Sequence, residues 1–443
     1  MKLYYKLNLF YILILLTSTA YTQHELLQSG PMAGYSEMRE AALWVQTKES
    51  AAVKIVYWDK ETPDKHFETD EVTTIKETAF TAKLYADNVE PGRQYEYKLL
   101  LNNSEAALPY PLEFQTLKLW QWREDAPDFT FVIGSCAYVN EPVYDRPGNP
   151  YGGNYEIFTS IKDKDPDFMI WMGDNTYLRE VDWNSRTGIL KRYTHTRSLP
   201  EMQPLLGSTH NYAVWDDHDF GPNDSDRGSV HKNTALDAFK LFWANPSYGV
   251  NDKPGVTTRF EWSDVEFFLL DNRYYRAPNN RKTGDRVMFG DEQIQWLADA
   301  LVSSKAVFKI IVTGGQVLNP NPAGERFSIY TEEREKLLEL IMQEGITGVI
   351  FFTGDIHSSQ ITRLERKETY PLYEFTISPL TAGVYTPDKE LNPLSIPEYK
   401  TFERNFGYFS VTGPKNNRVI TCINYNYAGK EMWKFSLKES ELK

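Results

Sequence analysis

Trp171-Met172-Gly173-Asp174-Asn175-Thr176-Tyr177 is the segment from which the organisation of the chain follows. It ends an apolar run that begins at Phe168, and such a run bounded by a glycine and polar groups predicts a buried strand that opens into a loop. Gly173 lets the backbone turn where a side chain would clash. We therefore expect Asp174 where the strand meets solvent, with Tyr177 close by. Alone, the segment also fits an ordinary strand-end turn capped by an aspartate.

The same pattern recurs through the later part of the chain. Apolar runs occur at 129–133, 168–172, 212–215, 267–270, 307–312 and 349–352. Helical segments are expected between them: Asn154 is a candidate helix cap, Asp291 and Thr331 begin two more helices, and Gly345 ends the last. Alternating strands and helices predict an α/β layered domain whose sites lie at the carboxyl ends of the strands.

Polar side chains follow five of these runs. They are Cys136 after the first, Asp174 and Tyr177 after the second, Asp216, Asp217, His218 and Asp219 after the third, Asp271, Arg273 and Arg276 after the fourth, and Asp355 and His357 after the last. Each motif has an ordinary alternative, such as a solvated turn, a strand-end cap or a local pair of Arg273 with Asp271. Five motifs at one topological position favour a shared functional site.

The first candidate metal set combines four kinds of ligand. Cys136 offers a thiolate, Tyr177 a phenolate, Asp174 a carboxylate and His357 an imidazole. Anionic, polarising donors of this kind suit ferric iron (Fe3+) better than magnesium or calcium. The chain has only 7 histidines, which disfavours a histidine-rich pair of zinc ions.

The second candidate set is oxygen-rich. Asp174, shared with the first set, joins Asp217 and Asp355, and carboxylate oxygens suit a hard cation such as calcium (Ca2+). His218 follows a ligand without an evident metal of its own. It is better placed to hydrogen-bond a substrate oxygen or to protonate a leaving group.

Composition and charge limit the class of protein. The chain has 443 residues, 41% hydrophobic and 25% charged, which indicates a folded protein of two domains. The formal net charge of -13 argues against nucleic acid or an anionic membrane as a partner. A phosphorylated substrate would be repelled at long range, so any anion site must be locally positive, for example through metals.

The beginning of the chain predicts export. Lys2 and Lys6 precede an apolar stretch, Leu7 to Leu16, and then small residues, so 1–22 is expected to be a signal peptide of a periplasmic or secreted protein. The stretch is short for a membrane span, although an uncleaved anchor is an alternative. No twin arginine is present within it.

Two domains are expected after the signal. Strand-like segments at 41–45, 52–57, 80–84 and 95–99, separated by turn residues, predict an all-β sandwich over 23–120. The polar segment 118–128 is expected to link it to a catalytic domain at 121–443. The only cysteines are Cys136 and Cys422. One metal-binding thiolate and one core thiol are preferred to a disulfide.

With these residues in place, the chain resembles the alkaline phosphatase D (PhoD-like) metallophosphatases. The blocks that carry the resemblance are Ser135-Cys136, Gly173-Asp174-x-x-Tyr177, Trp215-Asp216-Asp217-His218, Leu270-Asp271-x-Arg273 and Gly354-Asp355-x-His357, with Ser29-Gly30-Pro31 and Ala42-Leu43-Trp44 in the N-terminal part. The resemblance implies an α/β fold, a four-layer metallophosphoesterase sandwich of two mixed β-sheets flanked by helices, preceded by an N-terminal immunoglobulin- or fibronectin-like domain. The signal without twin arginines departs from many members.

The resemblance also implies an activity, the hydrolysis of phosphate mono- or diesters. Its roles carry to Cys136, Asp174, Tyr177 and His357 at iron, to Asp174, Asp217 and Asp355 at calcium, and to His218 and Arg273 facing the phosphate. The expected mechanism is in-line attack by a metal-bound hydroxide, with the Arg273 guanidinium on the equatorial oxygens. Cys136 as a nucleophile is a rival, but its only supporting histidine would be a ligand.

Two other functions stay open at this point. One is a surface glycan-binding protein with structural metals, and the other is a phospholipase D-like phosphodiesterase. His218 and Arg273 beside the ligands favour a hydrolase, because a structural metal site needs neither. The loops at about 140–155, 276–290 and 319–328 carry no recognisable signature. The sequence therefore does not rank monoesters, diesters and phospholipids.

Overall fold

The computed structural model describes residues 24–385 and 392–443. The predicted signal peptide, 1–22, lies outside the described residues. Within them, no helix combines the length and the apolar character needed to cross a membrane.

The N-terminal part is all-β, as expected. Its strands are β1 Leu27–Ser36, β2 Ala41–Thr47, β3 Ala52–Asp59, β4 His66–Glu68, β5 Val72–Thr73, β6 Thr81–Ala86, β7 Gln94–Leu101, β8 Ser104–Glu105 and β9 Glu113–Gln115. One sheet has the order β1-β2-β6; the other has the order β4-β3-β7-β8, with β5 on β3 and β9 on β7. The four predicted strands are confirmed as β2, β3, β6 and β7. β1 was not predicted because Gly30, Pro31 and Gly34 interrupt its pattern.

Buried side chains hold the two sheets of this sandwich together and pack it against the rest of the chain. Strand β7 alternates exposed and buried residues, so Tyr97 and Leu99 face an inner core shared with β1, β2, β3 and β6. Strand β2 is buried on both faces. On its second face, Trp44 donates its indole N–H to the carbonyl oxygen of Leu241 at 2.7 Å, and its ring lies 5.7 Å from that of Phe242. The sandwich is thus packed against the second half of the chain.

The second half contains two mixed sheets. Its strands are β10 Phe129–Gly134, β11 Phe168–Met172, β12 His210–Val214, β13 Thr258–Trp262, β14 Val265–Leu269, β15 Phe308–Val312, β16 Val349–Thr353, β17 Ser359–Leu364, β18 Leu372–Thr376, β19 Ser395–Thr401, β20 Asn405–Thr412, β21 Val419–Asn426 and β22 Glu431–Lys438. One sheet has the order β12-β11-β10-β20-β21-β22 and the other β13-β14-β15-β16-β18-β17-β19. Strands β10, β11 and β12 are parallel to one another, as are β14, β15, β16 and β18.

Helices connect these strands. They are α1 Ile157–Lys162, α2 Arg186–Arg197, α3 Gln203–Ser208, α4 Asp217–Phe220, α5 Lys232–Phe242, α6 Asp291–Ser303 and α7 Thr331–Gln343. The predicted starts at Asp291 and Thr331 are confirmed, and Gly345 follows α7 with a φ of 61°. The cap predicted at Asn154 is wrong. Helix α1 begins after Glu156, and the Asn154 side chain instead accepts a hydrogen bond from Arg404 at 2.7 Å.

Aromatic rings fill the space between the two mixed sheets. Phe131 on β10 stacks on Phe168 and on Phe409, each with ring centres 5.0 Å away. Its edge meets Phe267 of the other sheet at 5.4 Å. Because the parallel strands are covered on both faces, their sequences are continuous apolar runs. Cys422, on β21, is a buried free thiol in this core, and Cys136 is also free.

We predict that Phe131→Ala lowers the free energy of unfolding by about 3–5 kcal/mol, because a buried aromatic ring is lost and a cavity remains. Urea-induced unfolding followed by tryptophan fluorescence measures it. The matched control is Trp122→Ala, whose parent side chain is fully exposed and which should shift stability by about 0.5 kcal/mol or less. Equal midpoints for the two variants would contradict a core centred on Phe131.

Candidate metal centre

The loops that follow the parallel strands of both sheets meet at one edge. Gly173 has a φ of 94°, and a Cβ there would lie 2.7 Å from the Cβ of Asp216. A Cβ on Gly354 would lie 2.4 Å from Oγ of Ser135. Glycine is needed at both positions because neighbouring loops approach too closely for a side chain. The predicted turn at Gly173 therefore has a steric cause.

Four of the predicted ligands have left-handed backbones. The φ angles are 60° at Cys136, 54° at Asp174, 72° at Asp355 and 55° at His357. Each such residue costs on the order of 1 kcal/mol and persists only where the surroundings impose it, which is common at functional sites. The strain is concentrated where the two sheets contribute their strand ends.

The structure brings the four predicted iron ligands together. One ligand atom from each of Cys136, Asp174 and His357 lies within 4.8 Å of the others, and all three residues are buried. Sγ of Cys136 is 3.8 Å from Oδ2 of Asp174. The hydroxyl of Tyr177 is 3.1 Å from Nε2 of His357. A thiol, a carboxyl, an imidazole and a phenol thus surround one point.

Hydrogen bonding fixes which nitrogen of His357 faces this point. Nδ1 is hydrogen-bonded to the carbonyl oxygen of Gly383, which accepts only, so Nδ1 carries the proton. Nε2 then presents its lone pair toward Tyr177. Burial lowers the pKa of His357 to about 4, which keeps the ring neutral. A neutral imidazole held through its other nitrogen is the usual form of a metal-ligating histidine.

The Cys136 thiol and the Tyr177 phenol would be deprotonated only beside a cation. Burial raises the pKa of Cys136 and of Tyr177 well above the ordinary values, and the carboxylate of Asp174 raises both further. A bound cation reverses that effect by stabilising the anions. The donor set therefore fits a strongly polarising metal ion.

A second cluster shares Asp174. It contains Asp174, Asp217 and His218, with one ligand atom of each within 4.8 Å of the others. Oδ1 of Asp217 is buried without a hydrogen-bond partner in the described part of the chain. Burial opposes its ionisation, but His218 and then Arg273 outweigh that effect and lower the pKa of Asp217. An ionised oxygen without a donor fits a cation.

Asp355 does not join this cluster as expected. Its backbone carbonyl oxygen lies 3.8 Å from Sγ of Cys136, so the residue is at the edge where the loops of the two sheets meet. In residues 24–385 and 392–443, however, no group of three ligand atoms within 4.8 Å includes its carboxylate. His218 occupies the third place instead, although it was predicted as a catalytic group rather than a neighbour of the cation.

His218 belongs to the second cluster and also contacts Tyr177 of the first. Its ring stacks on Tyr177 with centres 4.3 Å apart, and its backbone N–H donates to Oδ1 of Asp174 at 3.1 Å. Nδ1 has no hydrogen-bond partner among the described residues. Burial lowers the pKa of His218, against the opposing effect of Asp217. The ring is thus held in place with one nitrogen available.

Arg273 is placed differently from the prediction. Its side chain is fully buried, with Nε 2.5 Å from Oδ1 of Asp216 and one terminal nitrogen 2.5 Å from Oε1 of Glu325. Arg273 contacts Asp271 through its backbone, whose N–H donates to Oδ1 of Asp271 at 2.9 Å. The guanidinium approaches Asp217 no closer than 3.9 Å. Arg273 is therefore bound in ion pairs beside the clusters, and Glu325 was not predicted.

Asp219 organises two of the loops. Its Oδ2 accepts from the backbone N–H groups of Asn175 at 3.2 Å and Asp216 at 3.0 Å, and its Oδ1 accepts from that of Thr176 at 3.0 Å. Burial raises its pKa to about 8. Asp216 and Asp219 form a capping box at the start of α4, a signal present in their spacing. The carboxyl group holds the Asp174 loop against the Asp217 loop.

A wall of tyrosines borders the cluster of Cys136, Asp174, Tyr177 and His357, which we call the iron-type cluster. The ring of Tyr138 lies 5.0 Å from that of Tyr151 and 5.1 Å from that of Tyr177, both edge-to-face. The hydroxyl of Tyr151 is 3.3 Å from Nδ1 of His357. The loop that carries Tyr151 has no sequence signature, so this wall was not predicted.

Most of the chain is similar in sequence to known proteins. Residues 131–418 match the sequence model of the PhoD-like phosphatases, and residues 24–118 match a domain of unknown function, DUF7800. Alkaline phosphatase D of Bacillus subtilis (strain 168) is 21% identical over 392 residues. That match spans 75% of this chain and 64% of the relative, less than two thirds of its length.

Two solved structures share the fold. The structure of PhoD superposes with a TM-score of 0.74 at 17% identity, over 95% of this chain and 92% of that one. A purple acid phosphatase from yellow lupin (Lupinus luteus) seeds superposes with a TM-score of 0.64 at 13% identity, over 92% and 74%. These similarities confirm the predicted layered sandwich of mixed sheets. Since the family model covers well over half of the chain, the protein belongs to the PhoD-like phosphatase family.

Proposed function

We propose that this protein is an exported, metal-dependent phosphoric ester hydrolase, an alkaline phosphatase or phosphodiesterase. The observation that carries the proposal is the convergence of Cys136, Tyr177 and His357 on Asp174, which is shared with a second cluster at Asp217. Membership of the PhoD-like phosphatases supports the reaction class. The signal peptide predicted at residues 1–22 supports a periplasmic or secreted location.

The proposed metals are ferric iron and calcium. Cys136, Asp174, Tyr177 and His357 would hold the iron, and Asp174 and Asp217 would offer oxygen donors to calcium. Asp355, at the same edge but outside the cluster, is a further candidate oxygen donor. Bound cations of this kind neutralise phosphate charge and supply hydroxide near neutral pH.

The surrounding residues have separate tasks in this proposal. His218, with Nδ1 unpartnered, donates a proton to the leaving oxygen or a hydrogen bond to the phosphate. Arg273 orients Asp216, which shares a loop with Asp217. Asp219 fixes the loop of Asp174 through backbone N–H groups.

A covalent mechanism through Cys136 is disfavoured. The thiol is completely buried, and burial raises its pKa well above the ordinary value. The nearby imidazole, His357, is committed through Nδ1 to the Gly383 carbonyl and faces Tyr177 with Nε2. The imidazole beside the thiol is therefore not free to activate it, in contrast to cysteine nucleophiles.

The direct test is release of nitrophenol from mono- and bis-nitrophenyl phosphate. We predict turnover that a chelator abolishes. Asp174→Ala should lose nearly all activity and both metals, because the shared carboxylate holds the pair. Metal analysis of the purified variant accompanies the assay. Full metal content with near-normal turnover in Asp174→Ala would refute the shared site.

His218 and Asp217 should behave differently. His218→Ala should retain the metals and lower turnover by roughly a hundredfold to ten-thousandfold, the range for a lost general acid or base. Asp217→Asn should weaken the calcium-type site, and added calcium should partly restore its activity. Metal titrations of both variants separate the cases. The same metal affinity and calcium response in both would show that ligand and catalyst have been assigned incorrectly.

Colour tests the iron site. A tyrosinate or thiolate on ferric iron absorbs visible light, whereas zinc, magnesium and calcium sites are colourless. We therefore expect a coloured protein when it is exported from its own host. Tyr177→Phe should shift or bleach the band with the fold intact, and Cys136→Ser should change it differently because oxygen replaces sulfur. Fully active, colourless, iron-free protein would exclude iron.

A further inference from the structure

Arg179 lies on the same loop as Tyr177, two residues further along. Its backbone N–H donates to Oδ2 of Asp182 at 2.9 Å, and its side-chain Nε donates to the hydroxyl of Tyr138 at 3.0 Å. The guanidinium carbon is 4.6 Å from the ring centre of Tyr138 and 5.7 Å from that of Tyr177. The tyrosine wall thus holds the guanidinium beside the iron-type cluster.

The charge of Arg179 is not balanced by the protein. The residue is only 6% exposed, yet within residues 24–385 and 392–443 no carboxylate oxygen lies within 4.0 Å of its guanidinium nitrogens, and its two terminal nitrogens make no hydrogen bond. Arg192, equally buried, is paired with Asp182 and Glu141. Its terminal nitrogens are not among the fully buried unpartnered atoms, so they remain accessible to a ligand. A positive charge that is mostly removed from water and has no carboxylate partner favours an anion.

Arg197 is a buried arginine whose terminal nitrogens do have partners. It also lacks a carboxylate partner in the described residues, but one terminal nitrogen contacts Sδ of Met32 and the other donates to the carbonyl oxygen of Phe242. Its guanidinium lies 4.0 Å from the ring centre of Trp243, a cation–π contact. Arg179 differs from Arg197 because its terminal nitrogens have no partner in the part of the chain that the structure describes.

We propose that Arg179 binds a non-bridging oxygen of the substrate phosphoryl group, and that it, rather than Arg273, supplies the guanidinium of the phosphate site. A planar fork of N–H donors matches phosphate oxygens. Arg273 is occupied by Asp216 and Glu325. Tyr138 is the positioning residue, because its hydroxyl accepts from Nε of Arg179 and donates to Oδ1 of Asp145 at 2.5 Å. The inference rests on the proposed hydrolase function.

The test compares Arg179→Met, Arg179→Lys and the control Arg146→Met in the metal-loaded protein. Arg146 is exposed and pairs with Glu180, beside Arg179. Arg179→Met should lower kcat/KM for nitrophenyl phosphate roughly ten- to hundredfold, the range for a lost charge-assisted hydrogen bond, and weaken inhibition by inorganic phosphate comparably. Arg179→Lys should recover part of both effects, and the control should match the parent. Iron and calcium contents should not change.

Unchanged phosphate inhibition in Arg179→Met would overturn the inference while leaving the hydrolase proposal intact. If the parent protein hydrolysed neither nitrophenyl ester, the hydrolase proposal would fail instead. Calorimetric binding of inorganic phosphate to the metal-loaded parent and to Arg179→Met would then decide on Arg179: equal affinities, or no binding by the parent, would overturn it. Tyr138→Phe should give a smaller loss in phosphate affinity than Arg179→Met, as expected for a positioning residue.

Discussion

The structure depends on how negative side chains are buried together where the two mixed sheets meet. The carboxyl groups at this junction are those of the buried Asp174, Asp216, Asp217, Asp219 and Glu325, together with the half-buried Asp355. Like charges out of water repel, so each group must be protonated, paired or bound to a cation. Arg273 pairs with Asp216 and Glu325, and burial raises the pKa of Asp219 to about 8, which favours its protonated form. For Asp174 and Asp217, the candidate counter-charge is a bound cation.

Strained backbone conformations make this arrangement of carboxyl groups possible. Left-handed residues at Cys136, Asp174 and His357 turn the chain sharply after apolar strands. Gly173 and Gly354 let those turns touch. A rigid aromatic core under the strands resists relaxation of these turns, since packed interiors deform little. The ligand side chains are therefore preorganised by the fold, which lowers the cost of assembling a site.

The sequence was most informative where burial is complete. The apolar runs of β10, β11 and β16 predicted strands because both faces are covered, and their ends located the residues that the structure brings together. Strand β19, Ser395–Thr401, has exposed residues and an internal proline, so its sequence carried no such signal. The pairing of Arg273 with Glu325 was also hidden, because Glu325 comes from a loop without periodicity. Residue types at strand ends were predictable; partners across long loops were not.

Charge balance links the surface to the site. A net charge of -13 opposes the approach of a phosphate ester, although salt screens this repulsion beyond about 10 Å. Binding must therefore rely on positive charge that acts at short range. Arg273 contributes little, since Asp216 and Glu325 neutralise it. Cations beside Asp174 and Asp217, and a guanidinium left unpaired at Arg179, would act within the low-dielectric interior, where the attraction to phosphate is least screened.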